Sequence, residues 1–188
     1  MKIRTGVASP LLLTCVFASA LGLAYARSSG NILVQSLVTL ISMVVVFFAS
    51  HPLGHLFLAR AYGVSTEYFF VGRSDFRKLN LKVASVVGGL VPTIGTKLRK
   101  DELAKLQPRK RGYVFGAGVM VSNALVGIEL VCVLVAGFSL SAVILGAAFF
   151  VAMLATEVLF STKVGDLGKM AAEFKKDAPG PVSPLRST

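Results

Sequence analysis

Apolar residues gather into four long runs that alternate with short polar or basic segments. The runs cover about residues 7–26, 32–49, 113–137 and 140–160. Each is close to the ~20 apolar residues that a helix needs to cross a bilayer. The pattern therefore predicts an all-α polytopic membrane protein with about four transmembrane helices.

The first run has two interpretations. Lys2 and Arg4 precede it, and Ala24-Tyr25-Ala26 at its end has the small-x-small form of a signal-peptidase site. Its length is that of a bilayer span and exceeds that of an ordinary signal-peptide core. Residues 1–30 are thus a first transmembrane helix or a signal-like segment, and the length favours the retained helix.

The second run continues without a turn signal into the sequence HPLGH at residues 51–55. One helix is predicted over about residues 32–62, with a kink where Pro52 removes a backbone N–H. Two more helices are predicted over about residues 113–137 and 140–160. A tight turn at Phe138-Ser139 joins them.

A basic segment separates the second and third runs and contains a shorter apolar piece at about residues 83–96. This piece is too short to span a bilayer and is interrupted by Gly88-Gly89 and Pro92. A re-entrant hairpin or an edge strand over a cavity is expected here. Residues 31–169 would then form the membrane core. Residues 170–188, which end in a Pro-rich stretch, would form a disordered cytoplasmic tail.

The charge distribution predicts the topology. The 188 residues carry a formal charge of +11, and the mean hydropathy is +0.73. The basic residues lie between the apolar runs, so the charge indicates membrane topology and anionic lipid contact, with no nucleic-acid partner. All of the 20 Lys and Arg residues except Arg27 fall on one predicted side. Both termini are therefore expected in the cytoplasm, in a multi-pass protein of the cell membrane.

A histidine pair carries the candidate chemistry. His51 and His55 share one helical face at i and i+4, so both imidazoles can reach one metal ion. Asp166 follows the fourth run and falls near the same cytoplasmic face by charge counting alone. Two imidazoles and one carboxylate predict a site for zinc, or for another divalent ion, with a position left open for water. An interfacial role for the histidines, bonded to lipid or loop, is the alternative.

The third run begins with a row of small residues. Gly118 and Ser122 fit a helix-packing face. The Asn123 amide would be costly in lipid, so it should point inward and bond to a partner helix or to a substrate backbone. Cys15 and Cys132 lie far apart inside apolar runs and are predicted to be buried, inert thiols.

The order of these pieces resembles the site-2 protease family of intramembrane zinc metalloproteases. Residues 51–64, HPLGHLFLARAYGV, are similar to the family's H-E-x-x-H helix and its following Ala-Arg and Gly-Val. Residues 107–112 and 116–123 resemble the Pro-x-x-Arg-Ala stretch and the Ala-Gly-Pro-x-x-Asn segment. Residues 164–168, VGDLG, resemble the Leu-Asp-Gly motif. The likeness covers about residues 32–169.

The resemblance implies a zinc ion held by His51, His55 and Asp166, and a transmembrane peptide as substrate. Asn123 and the backbone near Gly88 and Gly89 would bind that peptide.

Three departures from the family pattern bear on catalysis. Pro52 replaces the glutamate that serves as general base, no proline precedes Asn123, and Gly168 stands one position late. Loss of a general base costs ~10²–10⁴ in rate. Glu157, in the cytoplasmic half of the fourth run, is the first candidate for a substitute base, and Glu129 is a weaker one. The alternative is that each acid only forms a hydrogen bond with a neighbouring helix.

Three functions follow from these observations. The chain is a divergent intramembrane metallopeptidase, or a catalytically inactive relative that binds clients or metal, or a small metal or proton transporter. The absent glutamate is the best support for the second function. The membrane histidines and glutamates are the basis of the third.

Overall fold

The computed structural model describes residues 1–73 and 92–177 of the chain. Within these ranges, four helices are long and apolar enough to cross a membrane, so the predicted all-α polytopic membrane fold is confirmed. The described elements, in chain order, are β1 (Lys2–Ile3), α1 (Thr5–Ser29), α2 (Ile32–Ala61), β2 (Thr66–Arg73), β3 (Pro92–Leu98), α3 (Lys100–Ala104), α4 (Pro108–Val135), α5 (Leu140–Thr156), a π-helical turn (Glu157–Ser161), α6 (Thr162–Val164) and α7 (Asp166–Asp177).

Two tight connections close the end of the bundle opposite the histidines, here called the far end. Gly30, with φ of +64°, ends α1, and the Asn31 side chain caps α2 by accepting hydrogen bonds from two backbone N–H groups. The predicted turn between α4 and α5 covers residues 136–139. Arg27 Nε donates to the Ala136 carbonyl at 2.6 Å, which ties α1 to this turn.

Helix α2 lies at the centre of the bundle and contacts α1, α4 and α5. It runs unbroken through Pro52, as predicted. A Cβ added at Gly54 would lie 2.6 Å from the Ala117 carbonyl oxygen, so this glycine lets α2 and α4 approach closely. The close approach places the HPLGH segment directly against α4.

A small antiparallel sheet packs beside the start of α1 and the end of α2. Its order is β1-β2-β3, with Phe69 fully buried against Leu12, Leu53 and Leu56. Of the predicted apolar hairpin at 83–96, the described part is the stretch from residue 92, which lies in β3. This agrees with the edge-strand alternative. Residues 83–91, including Gly88 and Gly89, lie outside the described residues.

The predicted boundary of a disordered tail at residue 170 is wrong. Residues 166–177 form α7, which packs along α4 because two glycines there leave room for large side chains. A Cβ at Gly112 would collide with Phe174, and one at Gly116 would collide with Met170. The rest of the predicted tail, residues 178–188, lies outside the described residues.

The predicted helix limits need smaller corrections. Helix α4 starts at Pro108 rather than near residue 113, because proline suits the first turn of a helix. It ends at Val135. Helix α5 ends at Thr156, where the backbone passes into the π-helical turn.

Candidate metal centre

His51 and His55 stand one helical turn apart on α2 and face the same space. Their ring centroids are 5.1 Å apart, with an interplanar angle of 73°. The side chains are 21% and 11% exposed, respectively. The pair is therefore largely shielded from solvent while one edge stays accessible.

Asp166 brings the third donor from a distant part of the chain. It is the first residue of α7, and its Oδ2 lies 3.3 Å from Nε2 of His51 and 3.1 Å from Nε2 of His55. Ligand atoms of the three side chains all lie within 4.8 Å of one another. The structure thus brings together the three residues that sequence reasoning selected as metal ligands.

The orientation of the His55 ring is set by the backbone of α4. Its Nδ1 lies 2.8 Å from the Val114 carbonyl oxygen, which can only accept a hydrogen bond. Nδ1 therefore carries a proton, and Nε2 faces Asp166, where it donates to the carboxylate when protonated and offers its lone pair to an ion when it is not. A carbonyl on the remote ring nitrogen is the usual way that proteins orient a metal-binding histidine.

Gly118 makes the space in which the two imidazoles sit. A Cβ at this position would collide with Nε2 of His55 and would lie 2.8 Å from Nε2 of His51. On sequence alone, Gly118 belongs with Ser122 to a packing face. Ser122 is fully buried and donates within α4, whereas Gly118 borders the two imidazoles. The dense glycines at 112, 116 and 118 were the signal, but they do not show which one faces the histidines.

The electrostatics keep Asp166 ionised. Burial alone would raise the pKa of its carboxyl, but hydrogen bonds with His51 and His55 and the charge of Lys169 hold that pKa well below its usual range. Nζ of Lys169 lies 3.0 Å from Oδ1, leaving Oδ2 directed at the imidazoles. An ionised carboxylate is the form that binds a cation.

Glu157, the predicted substitute base, lies beside the centre rather than in it. It opens the π-helical turn Glu157–Ser161 and lies within electrostatic range of His51 and Asp166. It is not among the three residues whose ligand atoms cluster within 4.8 Å. Single π-helical turns inside α-helices occur frequently at functional sites.

Pro52 supplies no acid or base. Its side chain is fully buried, and its carbonyl accepts a hydrogen bond of 3.1 Å from the Thr96 hydroxyl of β3. This contact holds the sheet against α2 at the level of the histidines.

Asn123 does not join the three ligands. Its Nδ2 donates to the Val119 carbonyl of its own helix at 2.8 Å, and its Oδ1 is buried without a hydrogen-bond partner in the described part of the chain. Its role toward substrate therefore stays a prediction. The same holds for Gly88 and Gly89.

The donor set fits a zinc ion. Two imidazole nitrogens and one carboxylate oxygen are a ligand combination that catalytic zinc sites use, with a further position open. The buried Nδ1 of His51, without a partner among the described residues, leaves the tautomer of this ring free to present Nε2 to an ion.

Comparisons of the chain with family models, with curated proteins and with solved structures find no match. The resemblance to the site-2 protease family stays a prediction drawn from the motifs.

Proposed function

We propose that this protein is a metal-dependent peptidase that hydrolyses a peptide bond of a membrane-embedded substrate. The observation that carries the proposal is the convergence of His51, His55 and Asp166, from two segments over a hundred residues apart, on one point. Zinc is the proposed ion because two imidazoles and a carboxylate suit its preferences. Bound there, zinc would polarise a carbonyl and lower the pKa of a water to about 7.

The chain's own residues prepare the ligands. The Val114 carbonyl fixes the His55 ring, and Gly118 leaves the volume that both rings need. Lys169 holds one oxygen of Asp166 and directs the other inward. Little reorganisation is then required when an ion enters, which favours tight binding.

Glu157 is the proposed general base. It would take a proton from the attacking water and pass it to the leaving amine. Its place beside His51 and Asp166 is the support for this role. It replaces the base that Pro52 cannot provide, from a different helix.

The substrate is proposed to be a transmembrane peptide that is locally unwound. Among the described residues, β3 is the outer strand of the sheet, and its Thr96 touches the Pro52 carbonyl between the two histidines. An extended peptide that paired with this strand would pass close to the metal centre, as in other cases of strand addition. The excess of Lys and Arg supports a cytoplasmic location for this end of the bundle in a multi-pass protein of the cell membrane.

A second candidate is a catalytically inactive relative that binds metal or clients. The buried Pro52 at the position of the usual base favours it. The two candidates share the metal centre and differ only in turnover.

Two measurements on purified protein distinguish the active peptidase from the inactive relative. Elemental analysis should find about one zinc per chain in the wild type and in Glu157→Gln, and none in Asp166→Asn. A panel of fluorogenic transmembrane peptides in detergent would then be cleaved by wild type only, with the loss in Glu157→Gln at ~10²–10⁴-fold. Zinc without cleavage in the wild type would support the inactive relative. A wild type that holds no metal would overturn the proposal itself.

A further inference from the structure

A second polar site lies inside the membrane-spanning part of the bundle. Three side chains contribute to it: Thr39 and Ser42 of α2, and Glu129 of α4. They are 0%, 3% and 8% exposed, respectively. Neither hydroxyl nor either carboxylate oxygen has a hydrogen-bond partner in the part of the chain that the structure describes.

Thr39 and Ser42 lie on the buried side of α2, and Glu129 is a buried residue of α4. The Ser42 hydroxyl faces the Glu129 carboxylate, and Thr39 stands one turn before Ser42 on the buried side of α2. The neighbouring core residues Met43 and Val126 are fully buried. The polar atoms are therefore enclosed by an apolar shell, where an unpartnered carboxylate is costly.

The described residues provide no counter-charge at this depth. Within the described membrane spans, Lys and Arg are found only near the helix ends. Arg27, at the far end, is engaged by the Ala136 carbonyl, two turns of α4 or ~10 Å beyond Glu129. A cation that balanced an ionised Glu129 would then come from outside the described part of the chain.

The site is separate from the metal centre. Ser42 and His51 lie on the same helix at a distance of ~13 Å along its axis. Its donors are all oxygens, whereas the metal centre has two nitrogens. Oxygen ligands suit hard cations, whereas imidazole nitrogens suit zinc. One carboxylate carries a single negative charge, which a monovalent cation would balance.

Polar residues connect this site with the far end. Gln35 and Ser36 are buried on the same side of α2, and they bond to the loop and helix that follow α4. Gln35 Oε1 accepts from the Ser139 N–H at 2.7 Å, and Ser36 Oγ lies 2.8 Å from Ser141 Oγ. This stripe offers a cation successive oxygen contacts on the way in.

We propose that Glu129, Ser42 and Thr39 bind a sodium ion within the membrane. The carboxylate supplies the charge, and the two hydroxyls supply neutral oxygens. The proposal is independent of peptidase activity, because none of the three residues belongs to the metal centre.

Thermal unfolding of the full chain in detergent tests this site. Sodium chloride would replace choline chloride at constant ionic strength, with potassium chloride as a parallel series. The wild-type Tm is expected to rise saturably with sodium and much less with potassium. Glu129→Gln should show no sodium dependence, and Asp166→Asn should keep the wild-type response.

Ser42→Ala and Thr39→Val provide a second route if Glu129→Gln does not fold. Each should raise the sodium concentration at half-saturation about tenfold while folding normally. A wild-type Tm that is the same in sodium and choline would overturn the proposal, since a neutral Glu129 would then suffice. A sodium response retained in all three variants would also overturn it.

Discussion

The candidate metal centre and the proposed sodium site each hold a carboxylate close to α2, but they differ in the partners of that carboxylate. Asp166 has two imidazoles and Lys169 as partners from its own chain. Glu129 has no hydrogen-bond partner among the described residues. The chain itself therefore stabilises the charge of Asp166, whereas an ionised Glu129 would need a cation from outside the described residues. Function is expected at both sites, with different ions.

Replacement of Asp166 by alanine is expected to have the largest effect. Loss of an outer-shell partner already costs about 10- to 100-fold in metal affinity, so loss of this ligand should cost more than ~100-fold. Competition with a zinc-chelating dye measures it. Asp101→Ala, on the exposed α3, is the matched control and should bind zinc as the wild type does. Equal zinc affinities in the two variants would show that Asp166 is not a ligand.

Gly118→Ala should weaken zinc binding next most strongly. The added methyl group would meet both imidazoles and force them out of their positions, and we expect a loss of about 10- to 100-fold in affinity. Gly127→Ala serves as control, because its Cβ would meet only Phe150 at 3.4 Å, an ordinary contact. The same dye competition compares the two variants. Unaltered affinity in Gly118→Ala would mean that the imidazoles bind the ion elsewhere.

The effect of Glu129→Gln on the free energy of unfolding should change sign when sodium is added. Without sodium, the amide replaces an unpartnered buried acid and should stabilise the fold by about 1 kcal/mol. With saturating sodium, the wild type should be the more stable protein. Chemical unfolding in choline and in sodium buffers measures both differences. If the wild type is no more stable than Glu129→Gln even in saturating sodium, Glu129 does not bind a cation.

Glu173 tests a third arrangement, in which a carboxylate pairs with Arg111 and Lys176, and it should show the smallest effect. A hydrogen bond with Lys176, together with the charge of Arg111, lowers the pKa of Glu173 below its ordinary 4.5. The ionised form therefore stabilises the fold above pH 4.5, and this contribution disappears as the pH falls through the lowered pKa. Glu173→Gln should cost about 0.5 kcal/mol at pH 7, since water screens such pairs.

Chemical unfolding of wild type and Glu173→Gln between pH 7 and pH 3 measures how their difference in free energy of unfolding depends on pH. The two stabilities should converge at the acidic end. A gap that widens with acidity would contradict the assigned direction of the pKa shift.

The parts of the fold that hydropathy determines were predictable. The four apolar helices and the meeting of Asp166 with the histidines follow from run lengths and charge, because the bilayer limits where each segment can lie. The sheet was harder, since β1 has only two residues and exists through pairing with Phe69 and Phe70 of β2. Helix α7 escaped prediction because its polar sequence gains stability from packing into the glycines of α4.

Within the site, residue types were predictable and geometry was not. Imidazoles at i and i+4 of a helix can reach one metal ion, so they mark candidate ligands. The role of Gly118 depends on which face of α4 meets α2, and that is set by the close approach at Gly54. The orientation of His55 depends on a backbone carbonyl, Val114, which no sequence pattern marks.

X-ray absorption at the zinc edge tests the metal centre itself. For the wild-type protein loaded with one equivalent of zinc, the account predicts a shell of nitrogen and oxygen atoms at about 2.0–2.2 Å with the multiple scattering of two imidazoles. A sulfur shell near about 2.3 Å, or an imidazole signal that persists in a His51→Ala and His55→Ala double variant, would contradict it.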